Sequence, residues 1–206
     1  MLVDLTVTEF SEKTASGEPL PGGGSVSALA AALAAALAEM VANLTVGKRG
    51  YEDHGAEMQA ISAEARKLRS AMIGCIDRDA DAYQQVLSAF RLTKGNEADK
   101  TRRRQAIEEG YKQAARVPLS VAADALKILE LAHRGVSQGN RNAASDGIVA
   151  ALMAKSAVLG ALSNVRINLE AIKDEAFVRD FTRRAREIRE KLDGWEQRLQ
   201  STLAFS

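Results

Sequence analysis

Ten positions constrain this chain more than any others. Met58, Ile61, Ala65, Leu68, Met72, Cys75, Asp79, Ala82, Val86 and Ala89 follow one another at alternating spacings of three and four residues. Only an α-helix gathers such positions on one side, and at 1.5 Å per residue the seam predicts a helix about 50 Å long. Nine of the ten are apolar or small; the tenth is an aspartate. A carboxylate on an apolar seam costs several kcal/mol, on the order of a buried unpaired charge, unless it is paired, hydrogen-bonded or protonated. Asp79 is therefore either a structural polar residue or a carboxyl group with a raised pKa, placed for acid/base work. Asp77 and Asp81 point to either side of the seam and are read as solvated.

The rest of the chain agrees with long helices. Alanine makes up close to a fifth of the 206 residues, aromatics are 4 % and there are three prolines, a composition that favours helix over sheet. Thr6 with Glu9 forms a capping box, with Leu5 and Phe10 as its staple, for a helix ending near Ser16. Gly17 to Gly24 breaks the chain. A second helix is expected from Ser25 to Val46, with Ala28, Ala31, Ala35, Ala38 and Ala42 as a stripe that lets another backbone come close. After the turn Lys94-Gly95-Asn96, a fourth helix is expected over Glu97 to His133, kinked at Pro118. A loop over Gly135–Arg141 follows, then a fifth helix over Asn142–Glu170 that is again rich in small residues. The last helix carries Phe181, Ala185, Ile188, Leu192, Trp195 and Leu199 at heptad spacing. The fold class is all-α: a single domain, residues 1–206, of long antiparallel helices. Narrow seams on long helices are covered most cheaply by a second copy, so a dimeric helical bundle is expected.

Several function classes drop out. Lys plus Arg number 28 against 27 Asp plus Glu, a net charge of +1, which gives no electrostatic footprint for nucleic acid. One cysteine and two histidines, His54 and His133, make no metal-ligand spacing. The start, Met1-Leu2-Val3-Asp4, lacks the basic and apolar parts of a signal peptide. Val26–Val46 holds Glu39 and Asn43 and is mostly alanine, so it is read as a buried helix rather than a membrane span. The expected location is cytoplasmic.

Two further clusters carry chemistry. Pro21-Gly22-Gly23-Gly24-Ser25 stands directly before a helix, where free N–H groups and the helix dipole face an acceptor; a plain interhelical turn uses the same residues. It is neither a P-loop nor a dinucleotide fingerprint. Gly139-Asn140-Arg141-Asn142-Ala143-Ala144-Ser145-Asp146 crowds hydrogen-bonding groups at the start of a small-residue helix. Asn142 is read there as the N-cap, with Asp146 in the first turn. Lys48, Arg49 and Tyr51 after the second helix are a weaker carboxylate site, and Lys100 to Arg104 reads as a solvated face.

Taken in order, these motifs resemble one family. Pro21–Val26 leading into the Ala-rich helix, Val41-Ala42-Asn43-Leu44-Thr45-Val46-Gly47-Lys48, Asp79-Ala80-Asp81-Ala82-Tyr83, Val117-Pro118-Leu119, Gly139–Ala150 and Asn164-Val165-x-x-Asn168-Leu169 are similar to the cyclodeaminase/cyclohydrolase family of folate enzymes. The resemblance covers roughly residues 5 to 200. It implies an all-helical homodimer acting on a tetrahydrofolate derivative, with no metal and no cofactor besides that substrate. The implied reaction is hydrolysis of 5,10-methenyltetrahydrofolate to 10-formyltetrahydrofolate, with formiminotetrahydrofolate cyclodeamination as the alternative. It implies Asp79 and Asp146 as acid/base and charge-stabilising groups. Gly22, Gly23, Gly24, Ser25, Asn43, Lys48, Tyr83, Asn140, Asn142 and Ser145 are implied substrate contacts, with Lys48 toward the glutamate tail. A non-catalytic folate-binding or partner-binding dimer is the reading from another class. It would need donors but not two carboxyl groups.

Overall fold

The computed structural model describes residues 1–203, and every regular element among them is helical. The main helices are α1 (Val7–Ala15), α2 (Gly23–Asn43), α3 (Gly55–Phe90), α4 (Glu97–Gln138), α5 (Ala144–Leu169) and α6 (Glu175–Leu203). The capping box closes α1 as the sequence predicts, with Thr6 accepting from the Glu9 N–H and the Glu9 side chain reaching back to Thr6.

Helices α2 to α5 form an up-down-up-down bundle. Direction follows from the cross-helix pairs. Ser25 meets Asp79 and Asn43 meets Ser62, so α2 and α3 are antiparallel. Glu57 meets Arg134 on α4, and Asn168 on α5 meets Ala114 on α4, so the alternation continues. A Cβ on Gly160 would meet Ser27, and one on Gly23 would meet Asn164, which closes the ring between α5 and α2.

The alanine stripe is the reason the ring is tight. Ala28, Ala31, Ala35, Ala38 and Ala42 are essentially inaccessible on α2, as are Ala150, Ala154, Ala157 and Ala161 on α5. Around them pack Met58, Ile61, Leu68, Met72, Ile128 and Leu129. The Cys75 thiol is buried on the seam as expected, and burial pushes its pKa up. Phe181 and Leu192 of α6 are buried as the heptad spacing requires, and Trp195 sits edge-on to His133; the Leu199 side chain lies outside the described residues.

Three expectations need correction. Helix α2 starts inside the glycine run and ends at Asn43, because Leu44–Gly47 folds into a turn in which Gly47 takes φ +72°. Helix α4 does not stop at His133 but runs to Gln138. The expected loop glycine, Gly135, is buried inside it and packs against Val41, from which a Cβ would sit 3.4 Å. Nor is Asn142 the cap of α5. A short 3-10 turn, Arg141–Ala143, precedes that helix, and its cap is Asn140, whose side chain accepts from the Asn142 N–H.

Candidate functional site

The site begins where α2 begins. Gly22 is the N-cap of α2, and Gly23, Gly24 and Ser25 form its first turn. The seam aspartate of α3 lies against this turn. Asp79 Oδ2 accepts from the Ser25 hydroxyl at 3.0 Å, and the same hydroxyl lies 2.9 Å from the Ile76 carbonyl. Gly24 is what allows the carboxyl group to come so near. A Cβ at that position would lie 2.5 Å from Asp79 Oδ2 and closer still to Cγ and Oδ1. Burial pushes the Asp79 pKa up, against the opposing hydrogen bonds from Ser25. The carboxyl group thus holds its proton to higher pH than an exposed aspartate.

A cavity of about 150 Å³ opens in front of Asp79. The glycine turn and Asp79 form one side. Tyr83, Pro19, Leu20 and Ile167 supply apolar walls, and Asn164 and Asn168 of α5 complete it. Of the residues singled out from sequence, Gly22, Gly23, Gly24, Asp79 and Tyr83 line this cavity, and Ser25 stands behind Asp79.

The other six do not come here. Asn43 accepts from Ser62 at the far end of α2, and Lys48 lies in the turn beyond it. Asn140 is buried. Its N–H donates to Thr45 Oγ1 at 2.9 Å and its amide to the Leu44 carbonyl, so it ties the α4–α5 connection to the end of α2. Asn142 and Ser145 are exposed, and Asp146 is half-buried in the first turn of α5. Asp146 precedes Asn164 by eighteen residues on one continuous helix, which at 1.5 Å per residue separates them by about 27 Å. Within one subunit, Asp79 and Asp146 cannot address the same atom.

Asn164 and Asn168 belong to the cavity although neither was singled out as a site residue. Their signal is present in the sequence. Two asparagines four residues apart lie on one face of a helix interior, where asparagine is a poor helix former.

These features define an all-helical protein with a cavity built around a protonatable carboxyl group at a glycine-capped helix. The family model described as formiminotransferase-cyclodeaminase matches residues 6–187. The chain is 33 % identical over 175 residues to the methenyltetrahydrofolate cyclohydrolase of Methylorubrum extorquens, covering 85 % of this chain and 84 % of that one. It is 34 % identical over 168 residues to the formimidoyltransferase-cyclodeaminase of Sus scrofa, covering 82 % of this chain but only 31 % of that longer protein. The crystal structure of formiminotetrahydrofolate cyclodeaminase from Thermotoga maritima superposes with a TM-score of 0.87 at 31 % identity, over 98 % of both chains. The chain belongs to the formiminotransferase-cyclodeaminase family.

Proposed function

We propose that this protein hydrolyses 5,10-methenyltetrahydrofolate to 10-formyltetrahydrofolate. The observation that carries the reading is Asp79, the one carboxyl group among the described residues lining the glycine-turn cavity, in a chain of which 85 % aligns with a methenyltetrahydrofolate cyclohydrolase. In the reaction a water oxygen bonds to the cationic methenyl carbon and loses a proton, giving a carbinolamine. The bond from that carbon to N5 then breaks as N5 gains a proton, the remaining hydroxyl proton passes to solvent as the C=O forms, and the formyl group stays on N10. One carboxyl group can serve both transfers. Ionised, Asp79 offsets the substrate cation and takes the proton from water; protonated, it delivers one to N5. Burial raises its pKa, which favours the protonated form more than at an exposed aspartate and so suits a group that must also deliver a proton. Tyr83 and the Gly23–Gly24 turn line the same space.

Cyclodeamination is the second reading, supported by the likeness to the Thermotoga maritima enzyme over the full chain. Here N10 attacks the formimino carbon and ammonia leaves. The two are separated by giving the purified protein each substrate. Loss of methenyl absorbance identifies hydrolysis; appearance of methenyl absorbance with ammonia identifies cyclodeamination; neither would restore a binding-only role.

The working unit we propose is a homodimer. Val26, Leu33 and Met40 on α2 and Leu44 just beyond it, with Val149, Leu152 and Ile167 on α5, are exposed apolar side chains along the two small-residue helices. A second copy docked there, about a two-fold axis perpendicular to the helices, covers them. That arrangement carries Asn140, Asn142, Ser145 and Asp146 of one subunit toward the glycine-turn cavity of the other. Asn43 and Lys48 travel with that end. Asp146 is then a charge-stabilising group contributed in trans, and Lys48 is placed for the glutamate tail.

A further inference from the structure

We infer that Asn164 and Asn168 read the N–H edge of the substrate's pteridine ring, a specificity role that rests on the folate reading above. Each side-chain amide is locked by its NH₂ group. Asn164 Nδ2 donates to the Gly160 carbonyl at 2.9 Å. Asn168 Nδ2 donates to the Asn164 carbonyl and to the Ala114 carbonyl, both at 2.9 Å. Turning either amide over would set its oxygen against carbonyl oxygens, so the orientation is fixed.

Pro118 explains why the Ala114 carbonyl is open to Asn168. In an α-helix that carbonyl accepts from the residue four positions on, and here that residue is Pro118, which has no N–H. The proline thus leaves an acceptor unpaired inside α4, and Asn168 of the neighbouring helix occupies it. Asn168 spends both N–H bonds this way and leaves Oδ1 for the cavity; Asn164 spends one and keeps its Oδ1 together with a second N–H, its nitrogen being the nearer of the two to Gly23. Among the described residues neither oxygen takes a hydrogen bond from protein.

The cavity wall therefore offers the Asp79 carboxyl group and two neutral amide oxygens between the apolar surfaces of Leu20, Tyr83 and Ile167. Acceptors in a narrow apolar slot fit a flat, donor-rich heterocycle. A 2-amino-4-oxo pteridine in its tetrahydro form presents such an edge, with N–H groups at the 2-amino position, N3 and N8. Amides rather than carboxylates supply acceptors without a second negative charge beside Asp79, which would raise its pKa further.

The test measures binding of 5-formyltetrahydrofolate and of its 2-desamino-2-methyl analogue, which lacks the two N–H donors of the amino group, by calorimetry. Wild type is expected to prefer the amino compound by about tenfold or more, the cost of leaving a buried acceptor unpaired. Asn164→Ala is the cleaner variant, because the Asn164 side-chain amide donates back along its own helix, to Gly160, and alanine suits a helix interior. It should bring the preference to within about threefold. Asn168→Ala should act in the same direction but also remove the α4–α5 contact. A purely structural role would weaken both ligands equally and leave the ratio intact, which would overturn the inference and leave the folate reading standing. Failure of wild type to bind either compound would overturn the folate reading itself.

Discussion

Gly24→Ala tests the site at its narrowest point. The new methyl carbon would lie 2.5 Å from Asp79 Oδ2 and nearer to Oδ1, whereas ordinary van der Waals contact begins at 3.4 Å. The carboxyl group must retreat by more than ~1 Å, or α2 must move off α3. Neither leaves the 3.0 Å bond from Ser25 to Asp79 intact. Two contributions to stability oppose each other. Overpacking costs about 1–3 kcal/mol, while exchanging glycine for alanine in a helix gains up to about 1 kcal/mol. The fold should survive with a net loss of at most about 3 kcal/mol, a fall in Tm of several degrees. Catalysis should suffer far more, because a displacement of this size at a reacting group costs on the order of a hundredfold in kcat/KM. The assay follows methenyl absorbance at saturating and limiting substrate, alongside a thermal melt. Gly17→Ala is the control, since nothing lies within 4 Å of its added carbon. A Gly24→Ala protein with an unchanged Tm and kcat/KM within threefold of wild type would refute the reasoning, since it would mean that the close approach of Asp79 to α2 has no role.

Asp79→Asn should lower kcat by about 10²–10⁴ while raising stability at neutral pH. Burial raises the pKa of Asp79 in the folded protein, so the native state binds more protons than the unfolded one across the interval above the ordinary carboxylate value. Wild-type stability relative to the variant should then fall as pH rises through that interval and stay lower above it; denaturant melts over a pH series measure this. Asp79→Asn and Asp146→Asn proteins, each inactive, should regain about a quarter of wild-type activity when refolded together, because half the dimers are mixed and one of their two sites is intact; no recovery would place both aspartates' functions within single chains. Thr45→Val leaves the Asn140 N–H without its acceptor in a buried position, and should cost about 1–3 kcal/mol, read as a lowered Tm.

The helical seams, the capping box of α1 and the importance of Asp79 were legible along the chain because each depends on local spacing. Burial of Met58, Met72 and Val86 follows from period alone. The boundaries were less legible where packing overrode local signals. Gly135 reads as a helix stop, yet it lies buried inside α4 and packs against Val41. Asn142 reads as a cap, yet Asn140 caps the turn because Thr45 and Leu44 hold it in place.

By itself, the sequence determined that this chain folds into long antiparallel helices with a carboxyl group on a core seam beside a glycine turn. Periodicity and helix-breaking residues are local properties, and they survive being read one window at a time. Only the tertiary structure decided which polar groups share a cavity. Asn164 and Asn168 join Asp79 across the bundle, the latter held by a carbonyl that Pro118 leaves free fifty residues earlier in the chain. Asp146 is carried to the opposite end of α5. Distances between helices are set by the sizes of the residues that pack between them, here alanine and glycine, and no spacing along the chain encodes them.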